Sequence, residues 1–129
     1  MPHTWQSEVR DSELDSQGIV NNANYSVYYE HARHLYFKSL GVSFIDFLKN
    51  GYRVVLTKAD ITYKQSLTSG DIFIVETSAY YRKVKLFVEQ KVIRQQDQAL
   101  ISTATFHIAS LHEPSGRLIL PPEMVAALS

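Results

Sequence analysis

LDSQGIVNNANYSVYYEHAR, residues 14–33, decides how this chain is read. It opens polar, with Asp15, Gly18 and the pair Asn21 and Asn22, then turns into the longest helical pattern in the sequence. Tyr25, Tyr28, Tyr29, Ala32, Leu35, Tyr36 and Leu40 recur at spacings of three and four, which lines them along one helix face. Gly41 follows the last periodic residue, as a helix stop should. The asparagines stand where N-cap residues belong. The first N–H groups of a helix lack intrahelical partners and carry the positive end of its dipole. A single carboxylate, Asp15, in a flexible turn just ahead of such a start is a reaction-site arrangement. On residue type alone, the same aspartate reads first as a turn residue bonded to nearby backbone.

Working outward, residues 3–10 alternate, with Trp5, Ser7 and Val9 on one face, as in a half-buried first strand. Residues 11–21 form the polar loop and 23–40 the long helix. Residues 43–50 form a second, short helix, capped by Ser43 and ended by Asn50 and Gly51. From Tyr52 the period changes to two. Residues 52–64 place Ala59, Ile61 and Tyr63 on one face and Lys58, Asp60, Thr62 and Lys64 on the other. Ser69, Gly70 and Asp71 turn the chain into residues 71–82, rich in the β-branched and aromatic types that suit a pleated surface. Val84, Leu86, Val88 and Val92 then alternate with Lys83, Lys85, Glu89 and Lys91. Residues 99–111 are apolar or small on both faces, which predicts an interior strand. Pro121, Pro122 and Glu123 open a short terminal helix.

One strand, one long helix and about four long strands joined by short turns describe an α+β domain. So aromatic a helix needs cover, which a strongly curved antiparallel sheet wrapped around it supplies. Long antiparallel strands also leave an edge that a second subunit can pair with. At 129 residues, with 45% hydrophobic and 20% charged residues, the chain reads as one globular domain over 1–129. Its 13 basic and 13 acidic residues cancel, which argues against nucleic acid or a charged membrane as partner. There is no cysteine, so disulfides and thiolate chemistry are excluded. With no apolar run of spanning length and no signal-peptide pattern, a cytoplasmic setting is expected.

The pattern Asp15-x-x-Gly18-x-Val20-Asn21-Asn22-x-x-Tyr25-x-x-Tyr28-x-Glu30-x-Ala32-Arg33 resembles the signature of hotdog-fold acyl-CoA thioesterases. The nearest type is the 4-hydroxybenzoyl-CoA thioesterase family, with its Tol-Pal-associated and long-chain acyl-CoA relatives. The resemblance extends through residues 58–71 to the terminal Pro-Pro-Glu helix. It implies a hotdog fold, acyl-CoA as substrate, no cofactor, and a homodimer or homotetramer with active sites between subunits. It implies that Asp15 is the catalytic carboxylate and that the backbone N–H of Asn22 faces the thioester oxygen. Gly18, Val20 and Tyr25 are the candidate substrate contacts beside them, although Tyr25, Tyr28 and Tyr29 read first as core aromatics and Tyr25 stands apart only as the one nearest the helix start. Many relatives carry histidine after the glycine; Ile19 stands there in this chain, which puts a histidine-assisted mechanism in doubt.

The residues suit that chemistry. A thiolate leaving group, with a conjugate acid near ~8.5, departs without a general acid. The reaction then needs an oxyanion site, which a helix start supplies, and a base or nucleophile, which a carboxylate supplies. Coenzyme A is polyanionic, so Arg82, Lys83 and Lys85, with Lys58 and Lys64 on a neighbouring strand, are the candidate phosphate contacts. Lysines defending a strand edge would look the same. Glu30 and Arg33, three apart, are expected to pair on the helix surface or at an interface. His31 and His34 have no further ligand set beside them, so no metal site is expected. The main rival to a hydrolase is a non-catalytic protein of the same fold that binds acyl-CoA or acyl-carrier protein. A hydratase on this scaffold is disfavoured because no histidine lies near Asp15.

Overall fold

The computed structural model describes residues 2–129. Strand β1 (His3–Glu8) leads through a 3-10 turn (Asp11–Glu13) into helix α1 (Asn22–Ser39) and the short α2 (Phe44–Lys49). Four long strands follow: β2 (Tyr52–Tyr63), β3 (Ile72–Arg82), β4 (Lys85–Arg94) and β5 (Leu100–His112). A two-residue β6 (Arg117–Leu118) and helix α3 (Pro122–Ala127) end the chain. The strands form one antiparallel sheet in the order β1-β3-β4-β5-β2, with β6 added on β5. Residues 99–111 are thus interior, with β4 on one side and β2 on the other, as their apolar character predicts.

The sheet curls around α1. Phe73 and Val75 of β3, Leu86, Val88 and Val92 of β4, and Phe106 and Ile108 of β5 point inward and are buried. They pack against Tyr25, Tyr28, Tyr29, Ala32 and Phe37 of the helix. Bulges at Leu56/Lys58 and Val92/Ile93 help the long strands bend. The predicted helical stripe is buried at its start, whereas Leu35, Tyr36 and Leu40 are only half-buried near its end. Phe37 carries the packing there.

Polar atoms tie the helix to the sheet as well. The Tyr29 hydroxyl donates to Ser102 Oγ at 2.6 Å, and Ser102 Oγ donates to the Thr62 carbonyl at 2.8 Å. Gln90, buried on β4, donates from Nε2 to the Tyr29 carbonyl and to Thr77 Oγ1, both at 3.0 Å. Burial raises the Tyr29 pKa well above the usual phenol range, so the group stays a neutral donor. Buried polar groups satisfied in this way fix one register between helix and sheet.

Strand β2 differs from the alternation its sequence suggests. Ile61 is half-buried, but Ala59 and Tyr63, on the same face, are exposed. The reason is topological: β2 ends the sheet, with β5 as its only strand partner among the described residues. Val55 and Leu56 are also exposed along this edge.

Candidate active site

Residues 13–21 form a miniature hairpin. The Asp15 N–H donates to the Ile19 carbonyl at 2.8 Å, and the Asn21 N–H donates to the Glu13 carbonyl at 3.0 Å. Leu14 and Val20 form a bridge between the arms. Gly18 closes the tip at φ +78, the left-handed region that glycine enters without strain. Asp15 Oδ1 accepts the Gln17 N–H at 2.8 Å, the Asx turn anticipated for a loop aspartate. Its Oδ2 has no hydrogen-bond partner among the described residues, and the side chain is half-buried. One carboxylate oxygen therefore holds the turn and the other remains free.

The hairpin delivers the chain to the start of α1. Asn21 is the N-cap: its side chain accepts the Ala23 N–H at 2.9 Å, and its carbonyl accepts the Asn24 N–H at 2.8 Å. The Asn22 N–H has no acceptor among the described residues. It is a free donor at the positive end of an 18-residue helix. Val20 is buried, and its N–H donates to the Leu67 carbonyl at 2.9 Å. Tyr25 is buried with its hydroxyl oxygen on the Leu67 N–H at 3.3 Å, and its ring meets Tyr63 edge-on at 5.5 Å. The Tyr63 hydroxyl reaches the Asn22 carbonyl at 3.4 Å, so the far end of β2 lies beside the helix start.

Glu13 is the acid that the sequence reading missed. It is 7% exposed, and three donors surround its carboxylate. Oε1 accepts the Arg10 N–H at 2.9 Å and the Tyr28 hydroxyl at 2.8 Å, and Oε2 accepts Arg10 Nη2 at 2.9 Å. Burial alone would raise its pKa, but the Arg10 and Tyr28 hydrogen bonds and the Arg10 charge together outweigh it. The net shift is downward from the ordinary 4.5, so the stabilisation is complete above that value. It is lost as pH falls through the lower folded-state pKa. Nothing in the hydropathy marks Glu13; the one cue is the spacing of three from Arg10, and arginine is not a usual N-cap.

Arg33 also departs from expectation. No Glu30–Arg33 ion pair forms; the guanidinium turns inward, its carbon 4.1 Å from the centre of the Phe106 ring. Nη1 donates to Gln90 Oε1 at 3.2 Å. Burial lowers its pKa, against the opposing pull of the Glu30 charge. Arg33, Phe37, Phe44, Val54, Leu56 and Ile108 line a groove of about 360 Å³ between the helices and β2.

The basic residues do not join this site within one chain. Arg82, Lys83 and Lys85 sit exposed at the β3–β4 hairpin. The other end of β3 follows Leu67 and Thr68, which touch Val20 and Ile19. Ten residue steps of strand, on the order of 33 Å, separate the two ends. Lys58 lies exposed midway along β2.

A family model described as the thioesterase-like superfamily matches residues 9–128. The chain belongs to the thioesterase-like superfamily. Its fold agrees: a 1,4-dihydroxy-2-naphthoyl-CoA thioesterase from Synechocystis superposes with a TM-score of 0.91 at 16% identity, covering 99% of this chain and 96% of that one. A Staphylococcus aureus protein solved in complex with CoA superposes with a TM-score of 0.87 at 21% identity, covering 99% and 81%. Superfamily membership and these likenesses establish the hotdog fold. A chloroplastic acyl-acyl carrier protein thioesterase of Arabidopsis thaliana is 32% identical over 103 residues, 79% of this chain and 55% of its own length. The chain spans about half the length, or less, of the curated Arabidopsis relatives it matches.

Proposed function

We propose that this member of the superfamily hydrolyses the thioester of a fatty or aromatic acyl-CoA to the free acid and CoA. The observation that carries the proposal is the pairing of a free Asp15 oxygen with a free Asn22 N–H at the two ends of one short hairpin. Asp15 acts as base toward water or attacks the carbonyl carbon itself. The Asn22 N–H and the helix dipole receive the negative charge that develops on the carbonyl oxygen. The C–S bond then breaks, and the thiolate leaves with the bonding pair. On the base route this gives the free acid directly; on the nucleophilic route water then cleaves the Asp15 acyl anhydride to release the acid and restore the carboxylate.

The enzyme is proposed to work as a homodimer, or as a homotetramer of such dimers. The edge of β2 that no strand among the described residues pairs is 12 residues long and carries exposed Val55, Leu56 and Tyr63. Two copies pairing antiparallel along it would make one continuous sheet and set the Tyr52 end of one β2 beside the Tyr63 end of the other. The Tyr52 end is also the end of the Arg82–Lys85 hairpin, since Lys85 pairs Ala109 and Tyr52 pairs His112. The partner's basic hairpin thereby comes to the end of the sheet that holds Asp15 and Asn22, where it can meet the phosphates of CoA. Lys58 lies near the two-fold axis of this arrangement. The double substitution Arg82→Glu and Lys85→Glu is expected to raise KM for acyl-CoA about tenfold while kcat holds, with the difference shrinking in high salt. Equal KM values for parent and variant at low salt would remove this hairpin from the binding site.

Release of free thiol from short, long and aromatic acyl-CoAs, and from the same acyl groups on acyl-carrier protein, tests the activity. Turnover of CoA thioesters supports the proposal, and turnover confined to carrier-protein thioesters reassigns the carrier. Tight acyl-CoA binding without turnover on any substrate would instead establish the binding-protein reading.

A further inference from the structure

Glu13 touches neither candidate reacting group, yet it holds the elements that carry both. Its carboxylate grips the second turn of α1 through Tyr28 and the entering chain through Arg10. Its main-chain carbonyl accepts the Asn21 N–H at 3.0 Å and the Asn24 side-chain amide at 2.9 Å. Asp15 follows it by two residues on one arm of the hairpin, and Asn22 follows its partner Asn21 by one on the other. A charged side chain this buried, with every oxygen matched to a donor, sits in a rigid setting that tolerates little displacement.

We propose that Glu13 is the positioning residue of this site, setting the separation between the Asp15 carboxylate and the Asn22 N–H through the Arg10–Glu13–Tyr28 clamp. The role rests on the hydrolase reading above. The Glu13 carboxylate is buried and, among the described residues, bonded only to Arg10 and Tyr28, so loosening the clamp should slow the chemical step and leave substrate binding nearly intact. A misplacement near 1 Å between reacting groups is worth about 100-fold in rate.

The test compares kcat and KM for thioester hydrolysis in the parent, Glu13→Ala, Glu13→Gln and Tyr28→Phe, well below each variant's Tm. In Glu13→Ala, kcat is expected to fall about 100-fold with KM within about threefold. Glu13→Gln keeps an oxygen for the Arg10 N–H and the Tyr28 hydroxyl, and should recover most of the loss. Tyr28→Phe keeps the ring volume, removes one clamp bond and should lower kcat about tenfold; it also carries the test should the alanine variant fail to fold. A Tm that falls while kcat stays within about twofold in the folded variants would make Glu13 merely structural and overturn the role. An active parent with unmoved variants overturns this role alone, whereas a parent inactive on every thioester overturns the hydrolase reading and this role with it.

Discussion

Asp15→Asn is expected to lower kcat for thioester hydrolysis by about 1,000-fold, within the range that a positioned general base contributes. The substitution is close to isosteric. Its side-chain oxygen can still accept the Gln17 N–H that Asp15 Oδ1 accepts at 2.8 Å, so the Asx turn and the hairpin survive. What disappears is the negative charge on the free oxygen, which both chemical routes require. The Asn22 N–H and the helix dipole are untouched, so residual activity from oxyanion stabilisation should remain above the solution rate. Acyl-CoA affinity, followed by titration calorimetry on the variant, should stay near that of the parent. Turnover within about tenfold of the parent would move the chemistry away from Asp15.

Phe73→Ala should produce the largest loss of stability, about 3–5 kcal/mol, read as a shift in the urea midpoint at unchanged slope. Phe73 has no exposed surface, and its ring lies 4.5 Å from that of Tyr28 and 5.8 Å from that of Trp5. It therefore sits where β1, β3 and α1 meet, and removing it leaves a cavity that three elements would have to close. Leu118→Ala is the control: that side chain is 51% exposed on a two-residue strand, and its loss should stay within about 0.5 kcal/mol. Similar midpoints for the two variants would show that the core collapses around Phe73 more freely than its packing implies.

Much of the fold was legible because its signals are local. The 3.6-residue spacing of Tyr25, Tyr28, Tyr29 and Ala32 marks a buried face wherever the helix is packed. The period of two in residues 84–92 likewise marks one buried strand face. The turn at Gly18 and the cap at Asn21 were readable for the same reason: glycine and asparagine report backbone requirements a few residues away. Long-range partners were not legible. Glu30 and Arg33 obey the helix-pair rule, but Phe106 and Gln90, more than fifty residues on, offer the guanidinium a ring face and a carbonyl oxygen. In the sequence Glu13 is one polar residue among many, and only the fold brings the Tyr28 hydroxyl, fifteen residues on, to its carboxylate.

By itself, then, the sequence determined the helices, the long strands, the buried faces of α1 and β4, and the carboxylate-before-helix order of Asp15 and Asn22. These depend on residue types at fixed short spacings. The tertiary structure decided that β2 crosses to the far edge beside β5, where no strand among the described residues pairs its other side. It decided that Arg33 turns inward, that the Arg82–Lys85 hairpin lies at the opposite end of the sheet, and that Glu13 grips the start of α1. Each of those depends on which distant atoms compete for the same donor, ring face or strand edge, and that competition arises only once the sheet has closed around the helix.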